Sequence, residues 1–180
     1  MIFASAGLVL VGVISVLNLA MLLIMLRRWR ELAEAAGPPA GRAAAVRMID
    51  RIPAFSARAV DGTAVTERTL LGRETLVGFF SLTCRACADS VPLFAGHAER
   101  LRAGGGISLA IVHGDGAAGS DLAAALGEVM DLVIAEDANA ELSRRYGAKN
   151  YPTYAWYGAD GMVTSAGAGV AALRTELVTS

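Results

Sequence analysis

The chain has 180 residues, which is enough for one ordinary domain and an additional segment. Lysine and arginine together number 16, against 17 aspartates and glutamates, so the formal net charge is −1. Because no basic stripe or charged tail is visible, the sequence argues against a nucleic-acid partner.

The chain opens with an apolar segment, residues 1–26. This segment carries no charged side chain, and Asn18 is its only strongly polar residue. A helix needs about 20 such residues to cross the hydrocarbon core of a bilayer. The stretch "RRWR" follows at residues 27–30, and aromatic and cationic side chains of this kind are typical of a membrane interface. A cleaved signal peptide would have a basic start, and a core helix would be shorter. We therefore expect one transmembrane anchor in the lipid bilayer.

A juxtamembrane linker is predicted for residues 27–50, because Gly37-Pro38-Pro39 interrupts any helix and the remainder is small and polar. The globular domain is expected to occupy residues 51–180.

Within the domain, apolar runs alternate with amphipathic segments. Strand patterns occur at residues 54–60, 74–82, 107–113 and 131–137, and helix patterns between about Cys87 and Gly104, at residues 120–130, at 138–147 and at 170–180. Residues 153–158 and 161–167 have the pattern of a hairpin. Alternating strands and helices that end in a hairpin predict an α/β domain. Its central mixed sheet should be flanked by helices, parallel in the middle and antiparallel at one edge.

The only two cysteines, Cys84 and Cys87, lie where a predicted strand passes into a helix. A thiol at a helix N-terminus is favoured as a thiolate, and a second thiol one turn inside can attack a mixed disulfide. We therefore expect Cys84 to be the exposed nucleophile and Cys87 the buried resolving thiol. The cation Arg85 beside Cys84 is expected to lower the pKa of that thiol.

Two prolines have characteristic positions. Pro92 falls inside the predicted helix, where it would remove a backbone hydrogen bond. Pro152 directly precedes a predicted strand, and the Tyr151-Pro152 bond is a candidate cis peptide.

These features together resemble membrane-anchored thioredoxin-like proteins of the TlpA/ResA type, and "FFSLTCRAC" is especially similar to the MauD-like branch. The resemblance covers the chain from about Arg51 onward. It includes the segment "IPAFSARAVDGTAV", the strand–Cys84-Arg85-Ala86-Cys87–helix unit, Pro92, and "YPTY" before the hairpin.

The resemblance implies a thioredoxin-like fold and a membrane-tethered thiol–disulfide oxidoreductase without a tightly bound cofactor. Its partners would be a cysteine-containing protein substrate and a redox partner that recharges the pair. The implied site contains Cys84 and Cys87 as catalytic thiols, Thr83 and Arg85 around the thiolate, and Tyr151 and Pro152 on the side that meets the substrate.

The sequence also departs from these relatives. Gly78 stands where thioredoxins usually carry a buried acid, so deprotonation of Cys87 needs another group or water. Thr83 replaces the usual tryptophan, Arg85-Ala86 is an unusual dipeptide, and Tyr151 is bulkier than the residues common at its position. The direction of electron flow therefore stays open.

Other interpretations of the cysteine pair remain. The two thiols could be unreactive core residues, or the domain could be a membrane-tethered adaptor without catalysis. A structural zinc site needs four ligands, and only His97 and His113 could add to the cysteines. We expect no metal, a solvated His97 and a His113 that ends a strand. A thiol peroxidase is favoured by Ser81, three residues before Cys84, but the upstream proline of such enzymes is replaced by Val77.

A nucleotide-binding alternative depends on Gly114, Gly116 and Gly119, which spell G-x-G-x-x-G between a strand and a helix. Glu136 and Asp137 lie near the distance of a ribose-binding acid. Because a dinucleotide site should open a longer parallel-sheet domain, a strand-to-helix turn is the preferred interpretation.

The side of the membrane is predicted differently by two arguments. Arg27, Arg28 and Arg30 flank the apolar segment only on its C-terminal side, which by the positive-inside rule places the domain in the cytoplasm. The resemblance implies an extracytoplasmic domain on a single-pass cell-membrane protein, and we favour that location.

Overall fold

A computed structural model describes residues 48–169 together with helical positions in the N-terminal segment: Gly12, Ser15, residues 17–19, Met21 and Met25. The chain divides into two compact units, Met1–Pro38 and Pro39–Ser180. In this described part of the chain, no helix is long and apolar enough to cross a membrane. Three predictions lie wholly or mostly outside the described residues: the anchor at 1–26, the linker at 27–50 and the last helix at 170–180.

The described part of the second unit alternates strands and helices. The strands are β1 (Ser56–Arg58), β2 (Ala64–Thr66), β3 (Thr75–Ser81), β4 (Ile107–His113), β5 (Leu132–Glu136), β6 (Thr153–Tyr157) and β7 (Val163–Ala168). The helices are α1 (Glu67–Leu70), α2 (Arg85–Ala103), α3 (Asp121–Val129) and α4 (Glu141–Tyr146), and a short 3-10 turn occupies Ala117–Gly119.

Five strands form the central sheet in the order β5-β4-β3-β6-β7. The strands β3, β4 and β5 run parallel, and β6 and β7 complete the sheet in antiparallel pairing. The predicted α/β fold with a parallel middle and an antiparallel edge is therefore confirmed. Parallel strands need crossover connections, and α2 and α3 supply them.

The central position of β3 follows from its composition. All seven of its residues are buried, as expected for an apolar run without alternation. Val77 and Phe79 enter the core on one face of the sheet, while Leu76 and Phe80 enter the core on the other. The strand therefore packs into the cores on both faces of the sheet, and its C-terminal end leads to the cysteine pair.

The two faces of the sheet have different cores. On one face, α2 packs through Phe94, whose ring lies 4.8 Å from that of Phe80. On the other face, Tyr146 of α4 packs against Phe79 with ring centroids 5.3 Å apart. The long helix α2 and the short helix α4 thus lie on opposite sides of the sheet.

A two-stranded sheet precedes β3. β1 pairs antiparallel with β2 around the turn at Asp61-Gly62, where Gly62 has a φ of +89°. The sequence pattern indicated the turn and the first strand but did not predict β2 or α1. The isolated bridge between Ala59 and Ile134 brings this hairpin to the outer edge of β5.

Candidate active site

The two cysteines lie at the junction between β3 and α2. Cys84 is the N-cap residue of α2 and is half-buried, whereas Cys87 is 0% exposed. The Cys87 amide donates to the Cys84 carbonyl at 3.1 Å, which closes the first turn of the helix. The structure therefore places Cys84 nearer to solvent and Cys87 in the core, one turn apart.

The surroundings of Cys87 favour its neutral form. Both cysteines are free thiols in this structure. Burial raises the pKa of the Cys87 thiol well above its ordinary value, and hydrogen bonding with Cys84 raises it further. Cys87 therefore cannot act as a nucleophile unless a nearby group or water takes its proton.

The segment Tyr151-Pro152, directly before β6, lies against the cysteine pair. The peptide bond between them is cis, as predicted. The Cys84 Sγ donates to the Tyr151 carbonyl at 3.3 Å, although the two residues lie 67 positions apart. The Pro152 carbonyl accepts from the Gly169 amide at 2.8 Å. The backbone group that faces Cys84 is thus the Tyr151 carbonyl, directly before the proline.

The other predicted site residues surround Cys84 along the chain. Thr83 is exposed, and its Oγ1 lies 3.0 Å from the Ser81 Oγ. Arg85 opens α2 with an exposed side chain. Pro92 lies inside α2, and the helix continues through it to Ala103.

Two polar residues that the sequence did not assign to the site lie beside it. The ring of His113, at the end of β4, packs on the ring of Tyr151 with centroids 4.7 Å apart. Glu136 ends β5 directly opposite His113. Each is the last residue of a parallel strand, and the carboxyl ends of such strands share one edge of the sheet. That is the signal in the sequence that could have identified them.

The expectation for His97 was wrong. This residue is 2% exposed, and its ring lies 5.6 Å from that of Trp156. Its place on the inner face of α2, one turn from Phe94 and next to Ala98, explains the burial. His113 does end a strand, as predicted. Among the described residues, no group of three or more His, Cys, Asp or Glu side chains is arranged to hold a metal ion.

The glycine-rich segment after β4 forms a turn, as preferred. Gly116 has a φ of +78° and precedes the 3-10 turn, and the Gly114 amide donates to the Glu136 carbonyl at 3.1 Å. The Glu136 carboxylate accepts from the Leu142 amide at 2.8 Å and the Ser143 amide at 3.1 Å, and from the Ser143 hydroxyl. The acid considered for a ribose is thus engaged by the first turn of α4.

Solved structures with this fold include three from bacteria. One is a Chlorobium tepidum protein assigned as the thiol:disulfide interchange protein DsbE (22% identity, 74% of this chain and 97% of that one, TM-score 0.60). Another is a secreted Mycobacterium tuberculosis disulfide oxidoreductase homologous to DsbE of E. coli (19%, 70% and 96%, 0.55). A third is the pneumococcal exposed lipoprotein thioredoxin Etrx1 from Streptococcus pneumoniae (24%, 71% and 97%, 0.52). These similarities establish a thioredoxin-like α/β fold.

No curated protein sequence matched the chain. A protein-family model did match, over residues 48–175, which is well over half of the chain and includes the cysteine pair, His113 and the Tyr151-Pro152 segment. The chain therefore belongs to the AhpC/TSA family.

Proposed function

We propose that the chain is a thiol–disulfide oxidoreductase in which Cys84 attacks and Cys87 resolves. The observation that carries this proposal is the position of the two thiols. Cys84 is the half-buried N-cap residue of α2, with its Sγ 3.3 Å from the Tyr151 carbonyl, while Cys87 is fully buried one turn inside. Thiol–disulfide exchange needs an accessible first thiol and a protected second thiol within reach of it. The descriptions of the three similar structures, an interchange protein, a disulfide oxidoreductase and a thioredoxin, support the same activity.

The exchange proceeds in two displacements. The Cys84 thiolate attacks one sulfur of a substrate disulfide, which forms a mixed disulfide and releases the other substrate sulfur as a thiolate that takes up a proton. Cys87 then loses its proton, attacks the Cys84 sulfur and expels the second substrate thiol. Two electrons pass from the cysteine pair to the substrate, and the reverse sequence oxidises a substrate dithiol. The Tyr151-Pro152 segment presents its backbone to the substrate chain, and Thr83 and Arg85 flank the attacking cysteine along the chain.

Paired cysteine variants test this proposal. Cys84→Ser should abolish reduction of a disulfide-containing peptide by the dithiothreitol-charged protein. Cys87→Ser should accumulate a covalent adduct with the same peptide, visible by mass spectrometry without reducing agent. Each variant serves as the control for the other, because both remove one thiol from the same helix. Full turnover by Cys84→Ser would refute the mechanism, and an inert wild-type protein would favour the non-catalytic adaptor. Turnover of hydrogen peroxide instead of the peptide would favour a thiol peroxidase.

We further propose that residues 1–26 tether the domain to the cell membrane and that the domain is extracytoplasmic. The uncharged length of residues 1–26 supports the tether. The descriptions of two similar proteins as secreted and as an exposed lipoprotein support the location. Arg27, Arg28 and Arg30 argue for the opposite side. Labelling of Cys84 in intact cells by a membrane-impermeant maleimide would support the proposed side. Protection of Cys84 until lysis would place the domain in the cytoplasm and favour a reductase.

A further inference from the structure

A polar row crosses the carboxyl ends of three neighbouring strands. Ser81 of β3 pairs in register with His113 of β4, and His113 pairs with Glu136 of β5. Side chains two residues apart in a strand share a face. The residues two positions before the row are Phe79, Ile111 and Ile134, and they lie in the core beside α4. The polar row therefore lies on the same face of the sheet, at the edge where Cys84 is the N-cap of α2.

The middle member of the row, His113, has an unusual environment. Its Nδ1 is buried and has no hydrogen-bond partner in the part of the chain that the structure describes. Burial of an unpaired polar group costs free energy, so the position of this nitrogen needs an explanation. The His113 ring packs on the Tyr151 ring at 4.7 Å, and the Tyr151 carbonyl accepts from the Cys84 Sγ. One residue thus separates the imidazole from the attacking sulfur.

Tyr151 connects the row to the cysteine pair electrostatically as well. Burial raises the pKa of the Tyr151 hydroxyl, a hydrogen bond with Ser143 opposes this shift, and Coulomb repulsion from Glu136, and from the Cys87 thiol in its ionised form, raises the pKa again. Tyr151 therefore lies within electrostatic reach of both the end of the row and the resolving thiol. Glu136 also lines a cleft of about 460 Å³ between β1, β5 and α4, which exposes that end of the row to water.

We propose that His113 is a positioning residue that sets the pH dependence of the cysteine pair by acting through Tyr151. The proposal rests on the oxidoreductase function proposed above. An imidazole changes charge between about pH 5 and 8. The protonated ring is a cation packed against Tyr151, at the edge of the sheet where the cysteine pair must carry negative charge. This cation therefore favours the Cys84 thiolate. Deprotonation removes that cation.

Other titratable groups lie near His113, and they are the same in every protein that the test compares. From the elements around it these are Glu136 at the end of β5, Tyr151 before β6, the cysteine pair at α2, and the exposed carboxylates Asp115 and Asp137 in the loops after β4 and β5. Glu136 is engaged by the α4 backbone, which fixes its position relative to the imidazole.

The experiment measures the rate at which iodoacetamide alkylates Cys84 in the 180-residue chain in detergent, between pH 5 and 9. All proteins carry Cys87→Ser so that one thiol reacts. His113→Phe keeps a ring on Tyr151 but cannot be charged. We expect it to lower the rate about threefold to tenfold near pH 5.5 and to leave the rate near pH 8.5 unchanged. His113→Gln should behave in the same way, and thermal unfolding checks that both variants fold. His97→Gln is the matched control, because it removes the only other histidine, which lies on α2.

The outcomes separate this inference from the proposed function. A pH profile of His113→Phe and His113→Gln that superimposes on that of the parent overturns the inference, even where peptide disulfides are still reduced. The same loss of rate in His97→Gln also overturns it, because the effect would not be specific to the row. A low-pH loss confined to the His113 variants supports the inference. If such variants retain their altered profile while the wild-type chain reduces no disulfide, the proposed function fails and the control of Cys84 by His113 stands.

Discussion

Gly78 lies in the middle of β3, with the rings of Phe80 and Phe94 against its Cα. A Cβ at this position would lie 2.7 Å from the Phe94 Cε1 and 2.8 Å from the Phe80 Cε2. Real Cβ atoms do not approach other heavy atoms this closely. The two rings thus fill the volume that a side chain would need, in an apolar core where a carboxylate would lose its hydration. The packing of the two rings therefore leaves no room at position 78 for the buried acid that thioredoxins usually carry.

Gly78→Ala should destabilise the domain because one of the two rings must leave its rotamer or the strand must shift. The free energy of unfolding should fall by about 1–3 kcal/mol, the usual cost of overpacking a core. Urea unfolding followed by circular dichroism measures the change. Gly96→Ala is the matched control, since a Cβ there meets nothing within 4 Å in the middle of α2. It should be neutral or stabilising by up to about 1 kcal/mol. Equal stability of the two variants would show that β3 tolerates a Cβ at Gly78.

The site could be predicted from the sequence only where its members are marked by local patterns. Cys84 and Cys87 belong to one motif, and Tyr151 is marked by the proline that follows it. His113 and Glu136 belong to no motif. Only their place at the ends of apolar strand runs points to the site, and their relation to it is created by strand pairing across the sheet. Linear spacing does not encode that pairing. The burial of His97 was missed for a similar reason, because it depends on contact with Trp156 of a distant strand.

Among the elements, the longer strands and helices of the described region were predicted within a few residues. Apolar runs identify β3, β4 and β5 because parallel strands are buried on both faces. The two missed elements, β2 and α1, have three and four residues. Such segments are too short to show either a strand or a helix period, and α1 is stabilised by local capping between Thr66 and Thr69.

One side chain, Asp131, joins three elements at the far end of the sheet. It follows α3 and directly precedes β5. Its Oδ1 accepts from the Arg102 Nε of α2 at 2.7 Å, and its Oδ2 accepts from the Ser108 amide of β4 at 2.8 Å and from the Ser108 hydroxyl at 2.6 Å. Burial opposes ionisation of Asp131, but the bonds from Ser108 and Arg102 outweigh it and lower the pKa of the carboxyl.

Asp131→Asn should lower the free energy of unfolding by about 1.5–3 kcal/mol at pH 7. The NH2 group of the asparagine side chain would face one of the Arg102 or Ser108 groups that donate to the carboxylate, and that hydrogen bond would be lost. The folded pKa lies below the ordinary value of 3.8, so the stabilisation is present above that value and is lost as the pH falls through the folded pKa. The difference between variant and wild type should therefore shrink in acid. Glu141→Gln removes the exposed pair with Arg145 and should cost under about 1 kcal/mol. A loss at Asp131 no larger than at Glu141 would contradict this role.

For the whole domain, the alternation of strands and helices predicted the α/β class and the mixed sheet, but not the strand order. A periodic pattern shows which residues are buried and not which strands are neighbours. The contact between Cys84 and Tyr151 is a consequence of the order. It requires β6 to lie beside β3 with its N-terminal end at the carboxyl end of β3.

The core beside α4 is built around two tyrosines that the sequence did not single out. Tyr146 and Tyr157 are 0% and 1% exposed, with ring centroids 6.0 Å apart. Their hydroxyl groups have no hydrogen-bond partner among the residues that the structure describes. Burial raises the pKa of both phenols far above the ordinary value of 10.0. The folded domain must therefore keep two protons that the unfolded chain releases in alkali.

This difference predicts how the stability of the whole domain depends on alkaline pH. Because the folded pKa values are raised, their contribution is fully present below pH 10 and declines as the pH rises above it, by about 1.4 kcal/mol per pH unit for each tyrosine. The double variant Tyr146→Phe/Tyr157→Phe lacks this decline and also removes two unpaired hydroxyls. At pH 7 it should be at least as stable as the wild type, and by pH 11 its advantage in the free energy of unfolding should grow by about 3 kcal/mol.

Urea unfolding of the reduced proteins at both pH values measures this gap in stability between variant and wild type, and Cys87 contributes equally to each protein. The variant Tyr151→Phe, at a half-buried position, should gain less stability relative to the wild type between pH 7 and pH 11. A gap that stays constant from pH 7 to pH 11 would mean that Tyr146 and Tyr157 ionise as readily in the folded domain as in the unfolded chain.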